Sequence, residues 1–513
     1  LHRLIRRQRQ MCIRDRFEAL LVKKEGKTIP KLGIKTKKEA EKIVNDLSKL
    51  VGSEKVITDK DILKEDLIDN VGYRRYEIFK NQYVAPMPIC VVKPDNENEV
   101  SKILSYLNEN RINCVPKTGR SSSTGGGEPG DDMTVIIDGS GMNQIIKFDE
   151  ENMLITVGCG TPIEYIENYC NKKGYTTGHI PQSFPVAQIG GLIATRSIGQ
   201  FSTLYGGIED LVIGLKAVLP NGEIIKIKNV PRRSAGPDIR HLIIGSEGAL
   251  AFITEATLKI FKFDEKNRWM NAYAVKDMDT GLKILQEIMT NGYKPAVARL
   301  HDEIEASWDY SKFVKSDESI LLFIVDGLED IVEVTRKAID NIARKAGARD
   351  VGSKPVEIWL NHRFDCNNTM LDNEDLRNDC CADTLEVAAN WTEIGLLYKN
   401  VCNRIAEENF PGLVRFSGHS SHSYLNGTNI YFMFSFKGDN DIDKTREKYF
   451  RLIGLIIDET LRLGGSISHH HGIGKFRVPW IRDEHGSSYI LLEKIKDAID
   501  PNKIMNKGTL FAE

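Results

Sequence analysis

The first clear hydrophobic pattern along the chain has a helical period. Between residues 36 and 52 the apolar positions are Ile43, Val44, Leu47, Leu50 and Val51. This spacing predicts an amphipathic helix, and Gly52 directly after the last apolar position predicts a glycine C-cap.

The next stretch changes from strand to helix and back to strand. Residues 88–94 (PICVVKP) and 112–116 (INCVP) are short apolar runs that predict buried strands. Between them, one face of a predicted helix carries Val100, Ile103, Leu104 and Leu107. The order predicts a βαβ unit whose second strand runs directly into a glycine- and serine-rich turn, KTGRSSSTGGG at 117–127.

That turn is a candidate phosphate-binding loop, because consecutive backbone N–H groups in such a turn can bind phosphate oxygens. Residues 125–130 (GGGEPG) match the dinucleotide-binding pattern GxGxxG by letter, but a strand-like run, DDMTVIID, follows them. A Rossmann site needs a helix at that point. The sequence therefore argues against a Rossmann fold and leaves a phosphate-binding turn or an ordinary loop.

The second half of the chain mixes strand and helix patterns. Within residues 263–455, strand-like runs such as SILLFIVDG and NIYFMFSFKG alternate with helical runs such as IVEVTRKAIDNIARKAG, which predicts a second α+β unit. From 448 an amphipathic helix carries Leu452, Ile453, Ile456 and Ile457 and ends at Gly464 and Gly465.

Length, charge and cysteine usage narrow the function classes. A chain of 513 residues is longer than one hydrophobic core usually organises, so we expect two or three structural units. Its apolar runs are too short for a membrane span. A formal charge of -2 with interspersed signs favours small molecules and proteins over nucleic acid as partners. The nine cysteines form no CxxC pair, which favours a cytoplasmic location. The basic residues 1–16 lack the apolar stretch of a secretory signal, and we interpret them as a non-native leader.

Six motifs follow one another in an order that resembles one enzyme family. They are PKTGRSSSTGG, TTGHIPQSFPVAQIGGLIATRSIG, YGGIEDLV, PDIRHLIIGSEGALAFITEATLKI, HHHGIGK and DPNKIMN, spread over residues 86–507. The series resembles the type-4 FAD-binding oxidases and transferases, which have the vanillyl-alcohol oxidase and p-cresol methylhydroxylase (PCMH) fold. The resemblance implies an α+β chain with a two-subdomain PCMH-type FAD-binding domain, a central α+β cap domain and C-terminal helices that return to the FAD domain.

The resemblance also implies domain boundaries and an assembly. We expect an N-terminal helical segment at 17–85, the FAD-binding domain at 86–262, the cap or substrate domain at 263–455, and a C-terminal segment at 456–513 that completes the active site. The expected assembly is a homodimer.

The same motifs imply which residues contact FAD. The pyrophosphate turn, the stretch beside the flavin ring and the backbone of the GSEGALAFI segment supply them: Pro116, Gly119, Arg120, Ser121, Ser122, His179, Pro181, Gln182, Ser183, Gln188, Gly190, Gly191, Thr195, Arg196, Ser197, Glu247, Gly248, Ala249 and Ile253. The turn contains no His or Cys, so the FAD is expected to be non-covalent. Taken without the family, GGLIATRSIG and GSEGALAF could also be tight turns that pack a sheet.

The family contains two chemistries, and the C-terminal motifs distinguish them. Many dehydrogenases of D-2-hydroxy acids such as D-lactate or glycolate carry two segments, His-x-Gly-Asp-Gly-Asn-x-His and a later Glu-His-Gly. These segments hold a divalent metal and a catalytic base. Here the corresponding stretches are HSYLNGTNIY at 422–431 and His470-His471-Gly472, without the carboxylates. We therefore expect no metal, although a nitrogen-rich site at His419, His422 and 469–471 stays open.

The other chemistry belongs to the alkylglycerone-phosphate (alkyldihydroxyacetonephosphate) synthases, which exchange an acyl for an alkyl chain. Their pattern has a tyrosine in an IYF strand and three histidines before Gly-x-Gly-Lys, and both occur here. The resemblance implies Tyr431 as the proton-transfer residue, His469, His470 and His471 as acid, base or orienting groups, and Arg299 near the flavin. Histidines titrate near neutral pH, which suits proton abstraction beside a carbonyl.

Three assignments stay open at this point. Arg299 could instead form a surface ion pair with Asp302. The phosphate-binding arginine of the cap could be Arg363 or Arg377, with Lys475 and Arg477 as further cations. The preferred function is the synthase, and the alternative is an FAD-linked D-2-hydroxy-acid dehydrogenase that passes electrons to a quinone or an electron-transfer protein.

Overall fold

A computed structural model describes most of the chain as helices packed on four β-sheets. The described residues are 34–65, 69–82, 86–131, 133–365 and 374–512, so the predicted leader lies outside them. Among these residues, none of the helices combines the length and the apolar character that crossing a bilayer requires.

The N-terminal part builds a four-stranded sheet. Its elements are α1 (Ile34–Val51), β1 (Val56–Ile57), α2 (Lys60–Glu65), α3 (Gly72–Phe79), β2 (Cys90–Val92), α4 (Glu97–Glu109), β3 (Cys114–Lys117) and β4 (Val135–Asp138). The strand order is β1-β2-β4-β3, with β4 parallel to both of its neighbours. The predicted βαβ unit is therefore confirmed, and β4 lies between its two strands.

Local chemistry explains the ends of these helices. Gly52 follows α1 with a φ of 102°, a region that glycine enters at low cost. The Asn96 side chain caps α4 by accepting hydrogen bonds from the backbone N–H groups of Asn98 and Glu99. The apolar face predicted for α4 is buried.

A five-stranded antiparallel sheet follows. The elements in chain order are β5 (Ile145–Asp149), β6 (Leu154–Gly158), α5 (Ile163–Asn171), β7 (Tyr175–Thr176), α6 (Ile189–Ala194), α7 (Ser202–Tyr205), α8 (Ile208–Leu211), β8 (Val212–Val218), β9 (Ile224–Ile227), α9 (Arg240–Ile243), β10 (Phe252–Lys259) and β11 (Phe261–Lys262). The sheet order is β5-β6-β10-β8-β9, and β11 pairs with β7. One hydrophobic core contains side chains from this sheet and from the four-stranded sheet, so the two form one FAD-domain-like body.

A seven-stranded antiparallel sheet forms the second half. Its elements are β12 (Trp269–Val275), α10 (Met278–Thr290), β13 (Val297–His301), α11 (Glu303–Asp309), β14 (Ser319–Val325), α12 (Glu329–Lys345), β15 (Arg349–Gly352), α13 (Lys354–His362), α14 (Glu374–Arg377), β16 (Cys380–Asn390), α15 (Trp391–Glu407), β17 (Leu413–Ser420), β18 (Gly427–Lys437) and α16 (Ile442–Arg462). The strand order is β15-β12-β14-β13-β17-β18-β16. Helix α16 starts six residues before the apolar pattern predicted it and runs through position 455.

The C-terminal residues return to the first sheet. After α17 (Ile481–His485) and α18 (Tyr489–Ile499), the backbone of Cys114 in β3 exchanges hydrogen bonds with Ile504 and Asn506 at 2.7 and 2.8 Å. The last segment therefore lies beside the strand that leads into the glycine- and serine-rich turn.

Candidate active site

A cavity of about 830 Å³ collects residues from both halves of the chain. One side consists of the turn at 116–123 and parts of 181–200 and 247–253. The other side comes from α11, β13, β16, β17 and β18. Cavities of this size between domains are typical small-molecule sites.

Close backbone packing shapes the turn side of the cavity. A Cβ atom on Gly119 would lie 2.6 Å from the carbonyl oxygen of Val186, so only glycine fits there. Gly248 has a φ of 73° and would place a Cβ 3.0 Å from Pro116. Arg120 also has a positive φ, 56°. Such close, left-handed turns bring backbone N–H groups together at one surface.

Two buried amide oxygens give an independent test of whether FAD fits. Among the described residues, Oε1 of Gln188 and Oδ1 of Asn70 have no hydrogen-bond partner, and both residues line the cavity. Buried oxygens of this kind are normally bonded. A cofactor with N–H and O–H donors, such as the flavin ring and ribityl chain, would satisfy them, so the residues present fit FAD.

Most of the residues predicted to contact FAD line this cavity. They are Pro116, Gly119, Arg120, Ser121, Ser122, Pro181, Gln182, Ser183, Gln188, Gly190, Gly191, Thr195, Ser197, Glu247, Gly248 and Ile253.

His179, Arg196 and Ala249 do not line it. His179 is fully buried, and its Nε2 lies 3.0 Å from Oγ of Ser197, so it positions a lining residue instead. The Arg196 side chain is exposed and bonds Glu209. The carbonyl of Ala249 accepts a hydrogen bond from Lys496.

Glu247 links the two sides. Its two carboxylate oxygens accept hydrogen bonds from the backbone N–H groups of Ile473 and Gly474, both at 2.7 Å. Burial raises the pKa of Glu247 to about 7. The GIGK turn after the histidine run is therefore fixed against the predicted cofactor side.

One row of register partners crosses the seven-stranded sheet at the cavity. His301 on β13 pairs with His419 on β17, His419 pairs with Tyr431 on β18, and Tyr431 pairs with Glu386 on β16. Residues paired across strands lie side by side on one face. The Tyr431 ring stacks on His419 with centroids 4.9 Å apart and on His470 at 5.8 Å.

Glu386 organises the run of three histidines. It is fully buried, and Arg477 bonds it through two nitrogens at 2.8 and 3.1 Å. The backbone N–H groups of His470 and His471 also donate to it. Burial alone would raise the pKa of Glu386, but Arg477 and His471 hold it well below its usual range. The carboxylate therefore fixes the backbone of the run.

His471 is in contact with the same carboxylate. Its Nδ1 lies 2.7 Å from Oε2 of Glu386. The ring therefore lies against the carboxylate, although Nδ1 makes no well-directed hydrogen bond to any described residue. His471 and His470 both line the cavity, whereas His469 lies behind them.

The first polar cluster, here called the Arg299 cluster, consists of Arg299, His301, Glu305 and His419. Arg299 donates from Nε to Nε2 of His301 at 3.0 Å, and its Nη2 lies 2.8 Å from Nε2 of His419. Nδ1 of His301 lies 2.6 Å and Nδ1 of His419 2.9 Å from Oε2 of Glu305. All four ring nitrogens are therefore in hydrogen bonds.

The second, here called the His422 cluster, consists of His422, His469 and His470. One nitrogen of each lies within 4.8 Å of the others, so the three could hold a metal ion. Nδ1 of His422 lies 2.8 Å from Oγ of Ser202, and Nε2 of His469 lies 2.7 Å from the hydroxyl of Tyr424. Burial lowers the pKa of His469 to about 4 and those of the other two as well.

The structure decides between several cations named in the sequence. Arg299 does not pair with Asp302, which instead accepts hydrogen bonds from the backbone of Gly418 and from Tyr398. Arg363 lines the cavity and Arg377 does not. Lys475 and Arg477 also lie outside the lining, since Arg477 is directed to Glu386 and Lys475 to Asn506 and Thr509.

Sequence patterns missed Glu305 and Glu386. Glu305 stands three residues after Asp302 at the start of α11, where an acidic residue is ordinary helix chemistry. Glu386 was detectable, because it is a charge within the apolar strand run TLEVAA. A buried strand rarely carries an unpaired carboxylate.

Two family models match the chain. The model for the FAD binding domain matches residues 88–228, and that for the C-terminal domain of FAD linked oxidases matches residues 265–510.

Curated relatives cover nearly the whole chain. The uncharacterized FAD-linked oxidoreductase YgcU of Escherichia coli K12 is 47% identical over 91% of this chain and 98% of its own length. Alkyldihydroxyacetonephosphate synthase of Dictyostelium discoideum is 27% identical over 83% of this chain and 73% of the relative. The glycolate oxidase subunit GlcD of Bacillus subtilis is 28% identical over 86% and 93%.

Two solved structures share the fold. An alkyldihydroxyacetonephosphate synthase superposes with a TM-score of 0.76 at 23% identity, over 91% of this chain and 85% of that chain. A substrate complex of p-cresol methylhydroxylase superposes with a TM-score of 0.70 at 15% identity, over 92% and 97%. These likenesses confirm the predicted PCMH-type architecture.

Proposed function

Because the chain belongs to the FAD-linked oxidoreductase family, we propose that it is an FAD-dependent enzyme of the alkylglycerone-phosphate synthase type. Its reaction exchanges the acyl chain of an acyl-dihydroxyacetone phosphate for the alkyl chain of a long-chain alcohol. The C1–O bond of the ester breaks, an ether C1–O bond forms, a fatty acid is released, and no net oxidant is consumed. The FAD is held non-covalently by the turn side of the cavity.

The observation that carries this choice is an arm of the cavity that extends beyond Tyr431. Along β16 and β18 its lining includes the apolar residues Met433, Ala382 and Cys380, with Leu376 of α14 beside them, and Thr384, Asp375 and Arg415 line its polar part. Alternate residues of a strand share one face, so this lining is continuous. A two- or three-carbon hydroxy acid has no use for such an arm, whereas an acyl or alkyl chain fills it.

Two guanidinium groups supply the charge that a phosphate needs. Arg299 and Arg363 both line the cavity, and each lies 5.6 Å from the ring of Trp359. Among the described residues, neither arginine makes a carboxylate ion pair, and burial lowers the pKa of Arg363 to about 10. Half-buried cations that make no direct contact with a carboxylate are suited to an anionic ligand.

Proton transfer falls to Tyr431 and His471. Thr384 donates a hydrogen bond to the Tyr431 hydroxyl at 2.9 Å, which leaves the phenolic proton for another acceptor. Nε2 of His471, with Nδ1 held at Glu386, takes the proton from C1 beside the carbonyl, and Tyr431 relays it. FAD, when bound, supplies the electron-accepting ring beside this carbon. His470 lines the cavity beside His471, and His469 lies behind them.

A D-2-hydroxy-acid dehydrogenase is the second candidate. The likeness to the glycolate oxidase subunit extends over 86% of the chain, and a carboxylate binds a guanidinium as a phosphate does. In that reaction the substrate hydroxyl would lose its proton to the same base and Cα would lose its hydrogen with an electron pair, for which FAD, when bound, would be the acceptor. Electrons then pass to a quinone or an electron-transfer protein.

Anaerobic absorbance of the purified yellow protein separates the two candidates. We expect acyl-dihydroxyacetone phosphate and hexadecanol to give an ether-linked product and free fatty acid, measured by mass spectrometry, while the flavin ends oxidised. Lasting bleaching of the flavin by D-lactate or glycolate, without ether product, would overturn the synthase proposal in favour of the dehydrogenase.

A matched pair of variants tests the arm itself. Met433→Phe narrows it beside Tyr431, whereas Met289→Phe changes a buried methionine of α10 outside the cavity. For the synthase, Met433→Phe should raise KM for long-chain substrates about 10-fold and leave short-chain ones unchanged, because one blocked contact is worth about 1–3 kcal/mol. An equal effect on both chain lengths would contradict an arm that holds the chain.

A further inference from the structure

The hydrogen-bond pattern of the Arg299 cluster fixes the protonation of both histidines. Glu305 is buried, and its carboxylate only accepts hydrogen bonds. Burial alone would raise its pKa, but His419 and His301 hold it well below the ordinary value. Each histidine must therefore carry its proton on Nδ1, the nitrogen that faces Glu305.

The opposite nitrogen of each ring is then an acceptor. Burial lowers the pKa of His301, and it lowers that of His419 to about 4, so both rings are neutral near pH 7. Their Nε2 lone pairs receive N–H groups of Arg299 from two different guanidinium nitrogens, Nε and Nη2. Two acceptors at two corners fix the plane of a guanidinium.

This arrangement holds the arginine without neutralising it by contact. Arg299 presents five N–H donors, and the two histidines accept two of them. Among the described residues, Nη1 of Arg299 makes no hydrogen bond, and the side chain lines the cavity beside Tyr431. A direct Glu305–Arg299 ion pair would have occupied the edge that an anion uses. Each imidazole instead lies between the carboxylate of Glu305 and the guanidinium of Arg299.

We propose that Glu305, acting through His301 and His419, positions Arg299 as the group that binds the anionic end of the ligand, a carboxylate or a phosphate. Glu305, His301 and His419 are positioning residues in this scheme, and Arg299 alone touches the anion. Only the identification of the anion with the substrate rests on the proposed function.

The test measures anion binding rather than turnover. The holoenzyme is titrated with inorganic phosphate, dihydroxyacetone phosphate and glycolate, and the dissociation constant is taken from the flavin difference spectrum. We expect Glu305→Gln to weaken binding about 10-fold or more, because one histidine loses its fixed tautomer and the guanidinium loses its plane. The ratio of the phosphate and glycolate constants shows which anion the site prefers.

A double-mutant cycle separates positioning from general damage. If Glu305 acts through Arg299, Glu305→Gln should change the dissociation constant less than twofold in an Arg299→Gln background. Equal losses in both backgrounds would overturn the proposal. Flavin content and the thermal midpoint of each variant show that folded protein is being compared.

A second pair of variants covers the case in which Glu305→Gln does not fold. His419→Gln keeps an oxygen for Arg299 and an N–H for Glu305, whereas His419→Leu offers neither. We expect the glutamine variant to retain most of the anion affinity and the leucine variant to lose about 10-fold. Equal affinities in the two variants would contradict the scheme. Anion binding that follows this pattern in an enzyme without exchange activity would sustain the inference and remove the proposed function alone.

Discussion

The Arg299 cluster and the His422 cluster use the same side chain for opposite purposes. In the Arg299 cluster every imidazole nitrogen is bonded, because Glu305 occupies one side of both rings and Arg299 the other. In the His422 cluster, Nε2 of His422 and Nε2 of His470 make no hydrogen bond to any described residue, and both rings line the cavity. A saturated imidazole can only hold its neighbours, while an unsaturated one can exchange a proton.

The position of the carboxylate produces this difference. Glu305 lies between two histidines and receives both rings. Glu386 lies behind the histidine run and receives mainly backbone N–H groups and Arg477, so the rings of His469 and His470 do not reach it. Tyr431 stands between the clusters, stacked on His419 and on His470. The functional contrast therefore depends on two glutamates that face opposite sides of one tyrosine.

Removing the charge of Glu386 should have the largest effect on the difference between the two clusters. Glu386→Gln leaves Arg477 buried without a counter-charge, and we expect the free energy of unfolding to fall by about 3–5 kcal/mol. Urea denaturation followed by far-UV circular dichroism measures this. The matched control is Glu333→Gln, whose exposed pairs with Arg336 and Lys337 should contribute little to stability. A loss no larger than the control would mean that Glu386 does not organise the run.

Removing the hydroxyl of Tyr431, which lies between the two clusters, should lower turnover without changing the packing of its ring. Tyr431→Phe keeps both ring stacks, so stability and flavin content should stay unchanged. Turnover should fall about 100-fold or more, the usual contribution of a positioned proton-transfer group. Tyr165→Phe, at an exposed position of α5, is the control and should have no effect. Turnover within threefold of the wild type would exclude Tyr431 from the proton path.

Acid titration should distinguish the two sides of the Arg299 cluster. Glu305 has a folded-state pKa well below its ordinary 4.5, so it adds stability above that pH and loses it as the pH falls toward the folded-state value. The loss should approach about 1.4 kcal/mol per pH unit below 4.5. Glu305→Gln should flatten the dependence of the thermal midpoint on pH in this range. An unchanged slope would mean that the carboxylate is not held ionised by the histidines.

The sequence predicted local structure and the FAD-binding domain well, because both depend on short-range patterns. The buried face of α4 and the stop of α1 at Gly52 followed from spacing and from one glycine. Most of the residues that the motif series predicted for FAD line the cavity. His179, which the motif predicted to contact FAD, lies outside the lining, and its ring contacts Ser197, which does line the cavity.

The positions of the glutamates depend on strand register, which short patterns do not contain. His301 and His419 are 118 residues apart and become neighbours only because β13 pairs with β17 in one register. A shift of one residue in either strand would turn its histidine to the other face and separate the two rings. Glu305 then contacts both rings from α11, and no spacing pattern in the sequence predicts these contacts. The chemistry of the site was therefore readable residue by residue, but its division into two clusters was not.

Metal removal should have the smallest effect, and it tests directly whether the His422 cluster binds a metal ion. We expect dialysis of the holoenzyme against EDTA to leave turnover within twofold. The cluster contains three imidazoles and no carboxylate, and its outer nitrogens already have Ser202 and Tyr424 as partners suited to proton exchange. Elemental analysis should find less than one metal ion per ten chains. A metal at one per chain that disappears in His469→Gln and persists in His419→Gln would reverse the assignment, because the unsaturated nitrogens would then serve as ligands rather than proton carriers.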